Sequence, residues 1–156
     1  MTNPADYASD LAALLRGQRI AHLATLRQGA PMASMTLYLP GADFAAFYVH
    51  VSRLAWHTQD MLQDGRVALS IAEADDGRAD PFTLQRVSIR GNAENLGGEQ
   101  PELQKQWLTC FPEQAINFEL ADFSFWRIAP RDARFVAGFG RILNLSAAEL
   151  AACSGS

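Results

Sequence analysis

Apolar positions recur every second residue through some stretches of this chain and every third or fourth through others. The change of period marks its elements. From Pro4 to Leu15 the helical spacing holds, with Leu11, Leu14 and Leu15 on one side and Gly17 placed to close the helix. Two extended runs follow, Arg19 to Leu26 and Pro31 to Leu39, joined by the short polar segment Arg27-Gln28-Gly29-Ala30 that signals a hairpin. In the second run Ala33, Met35, Leu37 and Leu39 alternate with Met32, Ser34, Thr36 and Tyr38, so one face carries hydroxyls. Pro40 to Asp43 turns the chain into Phe44 to Val51, whose aromatic and β-branched residues suit a half-buried strand.

Ser52 then stands where a helix N-cap belongs, ahead of a helix with Leu54, His57, Thr58, Met61 and Leu62 on one face. Gly65 ends that helix, and Val67, Leu69 and Ile71 alternate as another strand. Glu73 to Asp80 is a polar loop leading to a helical turn begun by Asp80-Pro81. Arg86 to Glu94 reads as a strand with Val87 and Ile89 inside and Ser88, Arg90, Asn92 and Glu94 outside. Glu99 to Phe111 returns to helical spacing, with Pro101 in its first turn and Pro112 as its stop. Phe123 to Ile128 is an aromatic strand, Arg134 to Ile142 a further strand weakened by Gly138 and Gly140, and Ser146 caps a C-terminal helix.

Six or seven strands at hairpin distances, with helices interrupting rather than alternating, describe an antiparallel barrel with helices attached. The 156 residues fit one domain, 1–156, with an N-terminal helix over 1–17 and a C-terminal helix or tail over 143–156. A net charge of −4 argues against a nucleic-acid partner. No apolar run is long enough to cross a membrane and no leader pattern opens the chain, so a soluble, cytoplasmic protein is expected. Cys110 and Cys153 lack metal or redox spacing and are expected as free thiols. His22, His50 and His57 have no second ligand at metal spacing, so no metal site is expected.

The candidate chemistry centres on the Ser52 junction. A helix N-terminus favours anions, and Arg53 adds a charged fork beside it that is well shaped for phosphate. Read without any other context, Ser52 is equally a simple cap, Arg53 a solvated charge, and His57 a core histidine.

Four segments in order, LATLRQGAPMASMTLYL, FYVHVSRLAWHTQDMLQDGRVALSI, DPFTLQRVSIRGNAE and RFVAGFGRI, resemble the flavin-binding split barrels related to pyridoxamine 5′-phosphate oxidase. Within that superfamily the chain is most similar to the haem-utilisation branch. The resemblance implies a mainly β, six- to seven-stranded antiparallel split barrel with peripheral helices. It also implies a homodimer with FMN at the subunit interface, acting on a small-molecule substrate as a flavin-dependent oxidoreductase. By the same resemblance, Ala33, Ser34, Met35 and Thr36 would line the ring edge, and Ser52, Arg53, His57 and Thr58 would hold the phosphate or ribityl chain. Arg86 falls at a polar ring contact, while Trp126, Phe139 and Arg141 would approach from the partner subunit. No side chain stands out as a catalytic acid or base.

The chain departs from that pattern by carrying Ser34 and Leu54 where the oxidases carry basic residues. Its histidines all precede residue 60, whereas haem-degrading members bind iron through a C-terminal histidine. The alternative is therefore a haem-binding or haem-utilisation protein that uses the same barrel without flavin. Independently of the family, Phe123, Phe125, Trp126, Phe135 and Phe139 are expected to form an exposed apolar patch that calls for a second subunit.

Overall fold

The computed structural model describes residues 4–138 and 140–156; Phe139, expected at the ligand, lies outside the described residues. Helix α1 (Pro4–Gly17) leads into the hairpin of β1 (Ile20–Arg27) and β2 (Ala30–Leu37). Gln28 and Gly29 both adopt positive φ at its tip, the backbone that a tight two-residue hairpin turn needs. Then come the two-residue β3 (Leu39–Pro40), β4 (Phe47–Ser52), helix α2 (Trp56–Gln63) and β5 (Arg66–Ala72). A 3-10 turn over Pro81–Thr83, capped by the Asp80 side chain, precedes β6 (Arg86–Asn95). Helix α3 (Pro101–Cys110), a 3-10 segment (Pro112–Glu119), β7 (Phe123–Val136), β8 (Ile142–Ser146) and α4 (Ala147–Ala152) complete the chain.

All strand pairings are antiparallel, in the order β2-β1-β5-β6-β7-β4-β3, with β8 added to β7. The sheet curls into the expected split barrel. Its interior is filled by Leu23, Tyr38, Phe47, Val49, Leu69, Ile71, Ile89, Ile128 and Phe135, and α1 closes over it with Leu11 and Leu15. Each of those leucines contributes about 2 kcal/mol by burial. A smaller cluster of Trp107, Phe111 and Phe125, with Phe118 against it, packs α3 and the segment after it on the other side of β4 and β7.

Three expectations need correction. The two C-terminal strands expected over 123–128 and 134–142 are one strand ending at Val136, and Gly138 and Gly140, both at positive φ, turn the chain into β8. Pro130, which has no amide hydrogen, sits where the β6–β7 register shifts beside Gly91. An irregularity of this kind is where a strand tolerates proline. Second, the expected aromatic patch is not exposed among the described residues: Phe125, Trp126 and Phe135 are buried within a single subunit and Phe123 is half-buried. Third, the sheet has eight strands rather than six or seven, with Leu39–Pro40 and Ile142–Ser146 forming strands of their own; the hydroxyl-bearing face of 32–38 is the inner one, with Thr36 and Tyr38 buried and Ala33 and Met35 exposed. Tyr38 carries its polar atom inside because it can donate to the Leu15 carbonyl at 2.6 Å.

Candidate functional site

The junction after β4 is not the helix start that the sequence suggests. Ser52 to Ala55 forms a turn, with the Ala55 amide donating to the Ser52 carbonyl at 3.1 Å. Helix α2 begins only at Trp56, with Ala55 at the cap position and no side-chain cap. Ser52 instead caps the turn, accepting from the Leu54 amide at 3.1 Å. Its hydroxyl donates to the Asp122 carboxylate, and the Arg53 amide donates to the Asp122 carbonyl at 2.7 Å. Leu54 and Leu62 are exposed, while Thr58, Asp60 and Met61 form the buried face of α2. His57 is half-buried, and burial lowers its pKa against the opposing pull of the Asp60 charge.

Beside this junction lies a cavity of about 220 Å³, lined by Arg53, Thr58, Leu62, Asn95, Asp122 and Trp126 among others. Thr58 and Trp126 are each 2% exposed, and neither Thr58 Oγ1 nor Trp126 Nε1 has a hydrogen-bond partner. A buried polar atom without a partner costs about 1–3 kcal/mol, so both call for a ligand or water oxygen. Arg53 is exposed and makes no ion pair among the described residues. The donors of this cavity fit an oxygen-bearing group the size of a phosphate or a short polyol. The Asp122 carboxylate opposes the phosphate.

A larger cavity of about 580 Å³ lies between the β1–β2 turn and α2, lined by Arg27, Gln28, Gln59, Asp60 and Gln63 among others. Its buried charge is already satisfied. The Asp60 carboxylate accepts from Thr25 Oγ1 at 2.7 Å and from Arg27 at 2.8 Å, and the Arg27 guanidinium lies 3.9 Å above the Trp56 ring. This network reads as the fastening of the hairpin to α2.

The other site residues disperse. Ala33 and Met35 lie on the outer face of the sheet, whereas Ser34 and Thr36 point the other way. These four therefore cannot present their side chains to one ring. The Thr36 hydroxyl donates to the Leu37 carbonyl. Across the outer face Met35, His22, Ser70, Ser88 and Arg134 stand in one cross-strand row. Arg86 is held by its own loop, donating to the Phe82 and Leu84 carbonyls at 3.0 and 2.9 Å. Trp126, enclosed in its own barrel, is not presented to a partner. Arg141 lies in the β7–β8 turn, with a buried Nε that lacks a partner. His50 is stacked 4.2 Å from Phe118 and 4.5 Å from Phe125, and burial lowers its pKa to about 4. No group of three or more His, Cys, Asp or Glu is placed to hold a metal among the described residues.

Asp122 and Asn95 were not singled out in the sequence. Asp122 follows a stretch with no clear period, and only its place just before β7, where it meets the Arg53 amide and the Ser52 hydroxyl, gives it a role.

Comparison with known proteins agrees with this architecture. The chain is 31% identical over 133 residues to the chloroplastic heme oxygenase HOZ of Arabidopsis thaliana, covering 83% of this chain and 40% of that protein. The chain thus spans less than half the length of this curated relative. A heme binding protein from Mycobacterium smegmatis superposes with a TM-score of 0.80 at 27% identity, covering 97% of this chain and 61% of that one. Campylobacter jejuni ChuZ superposes with a TM-score of 0.82 at 18% identity, covering 94% and 61%, which shows a common fold. The family model for pyridoxamine 5′-phosphate oxidase matches residues 8–137, nearly the whole barrel. With that match over most of its length, the chain belongs to the pyridoxamine 5′-phosphate oxidase family, and it is similar to the relatives named above for heme.

Proposed function

We propose that this chain is a flavin-binding, oxidoreductase-like protein that takes FMN at the interface of a homodimer. The observation that carries the reading is the cavity at the β4–α2 junction. Its lining includes Thr58 and Trp126, whose buried Oγ1 and Nε1 have no partner, and Arg53, whose guanidinium makes no ion pair among the described residues. These groups would hold the ribityl end of the cofactor, while the ring lies outside the cavity along β2, against Ala33 and Met35. The flavin, when bound, supplies the electron or hydride transfer, and the chain's own residues anchor it, orient it and shape the substrate gap. A second subunit would cover the outer sheet face, where Met35 is 63%, Ile20 45% and Ile142 51% exposed. These exposed apolar side chains take over the argument for dimerisation from the buried aromatics. Titration of the purified protein with FMN, followed by flavin fluorescence and tryptophan quenching, tests the reading. Saturation at one flavin per subunit supports it, and no binding at about tens of micromolar removes it.

A second reading, haem binding, is favoured by the relatives named for heme at 31% and 27% identity. His50 is half-buried among aromatic rings with its Nδ1 buried, so the exposed His22, beside Met35 on the outer face, is the more accessible candidate for an iron ligand. A Soret band on haem titration that is lost in His22→Ala would favour this reading over flavin.

A further inference from the structure

The cavity that would receive the cofactor's tail contains an acid held in place. Asp122 is tied to the junction twice, through its carbonyl to the Arg53 amide and through its carboxylate to the Ser52 hydroxyl. It therefore has a fixed position in the wall, in the same cavity as Arg53, Thr58 and Trp126. Asp122 forms no ion pair with Arg53 or any other described residue. An incoming phosphate would meet that carboxylate, and two like charges at contact in a partly desolvated site repel strongly. A neutral polyol meets no such obstacle. Its hydroxyls can accept from the Trp126 indole, which only donates, exchange a hydrogen bond with Thr58, and donate to Asp122.

We propose that Asp122 sets the ligand preference of this cavity, admitting the polyol arm of a flavin and cancelling the gain that Arg53 would give a terminal phosphate. The inference rests on the flavin reading above and adds to it the ligand class: flavins recognised through ring and ribityl chain, with the phosphate contributing little.

The test compares FMN with riboflavin, which differ only in the phosphate, on the whole chain and on D122N and D122A. D122N keeps an oxygen that can accept from Ser52, so the junction survives in at least one variant. The wild-type protein is expected to bind the two flavins within about threefold of each other. In D122N and D122A, FMN should gain about tenfold, the scale of a charge contact at a partly solvated site, while riboflavin stays unchanged. A wild-type preference for FMN of tenfold or more overturns the proposal, as does an FMN affinity that neither variant changes. If neither flavin binds any of the three proteins, the flavin reading itself fails and this proposal with it.

Discussion

Asp60 is the residue whose removal should be felt most widely. It is 3% exposed and holds the Thr25 hydroxyl and the Arg27 guanidinium, which in turn covers the Trp56 ring. Removing one partner of a buried pair leaves the other uncompensated, and Arg27 can recover only part of its hydration. Asp60→Ala should therefore cost about 3 kcal/mol, read as a lower urea midpoint at unchanged slope, with an altered Trp56 fluorescence. His50 gives a pH dependence. Its folded pKa of about 4 lies below the ordinary 6.5, so between these values the unfolded chain binds more protons and stability falls as pH falls. The loss should be complete below about pH 4, and His50→Phe should flatten the stability curve between pH 6.5 and 4 relative to the wild type. Neither role was legible in the sequence. Asp60 follows four uncharged residues on a short helix, and its partners lie 33 and 35 residues away. His50 read only as a strand histidine without a second ligand at metal spacing, because the helix whose Trp107 packs against it comes some fifty residues later.

Elements were legible where one period ran unbroken. The helix over 4–17, the first hairpin, the strand from Arg86 and the capped C-terminal helix stand close to where the pattern places them. The Ser146 cap is a full capping box with Glu149, so Ser146→Ala should cost about 1 kcal/mol, measurable by thermal or urea unfolding. Elements were misread where a local signal competed with tertiary pairing. The strands expected over 123–128 and 134–142 were separated, yet β7 runs on through Pro130 because the mismatch with β6 is absorbed beside Gly91. Gly91 is required there. An added Cβ would collide with the Ala129 carbonyl oxygen, backbone that cannot swing aside. Gly91→Ala should therefore destabilise by about 2–3 kcal/mol, at the upper end of overpacking costs. Ser52 was misread for a similar reason: it ends β4, and its hydroxyl caps a turn while donating to Asp122 in the turn before β7, so the helix starts only at Trp56.

At the scale of the molecule, antiparallel pairing was legible because hairpin spacing leaves few topologies open, and the family through the resemblance of four segments; the count of six or seven strands fell short of the eight observed. The site was only partly so. Ser52, Arg53, Thr58 and Trp126 do meet near one junction, but their surroundings depend on a loop some seventy residues away. The proposed dimer would use the outer sheet face rather than the aromatic residues. Met35→Lys places a charge on that face, where the side chain is already 63% exposed. It should convert a dimer to a monomer in sedimentation while leaving the barrel's far-UV spectrum unchanged. The account turns most directly on one titration, in which FMN and haem are offered separately to the purified chain and the absorbance spectrum is followed to saturation. It predicts one flavin per subunit, with a shifted flavin band and quenched tryptophan emission. A Soret band on haem addition, with free-flavin spectra at every FMN concentration, would contradict it.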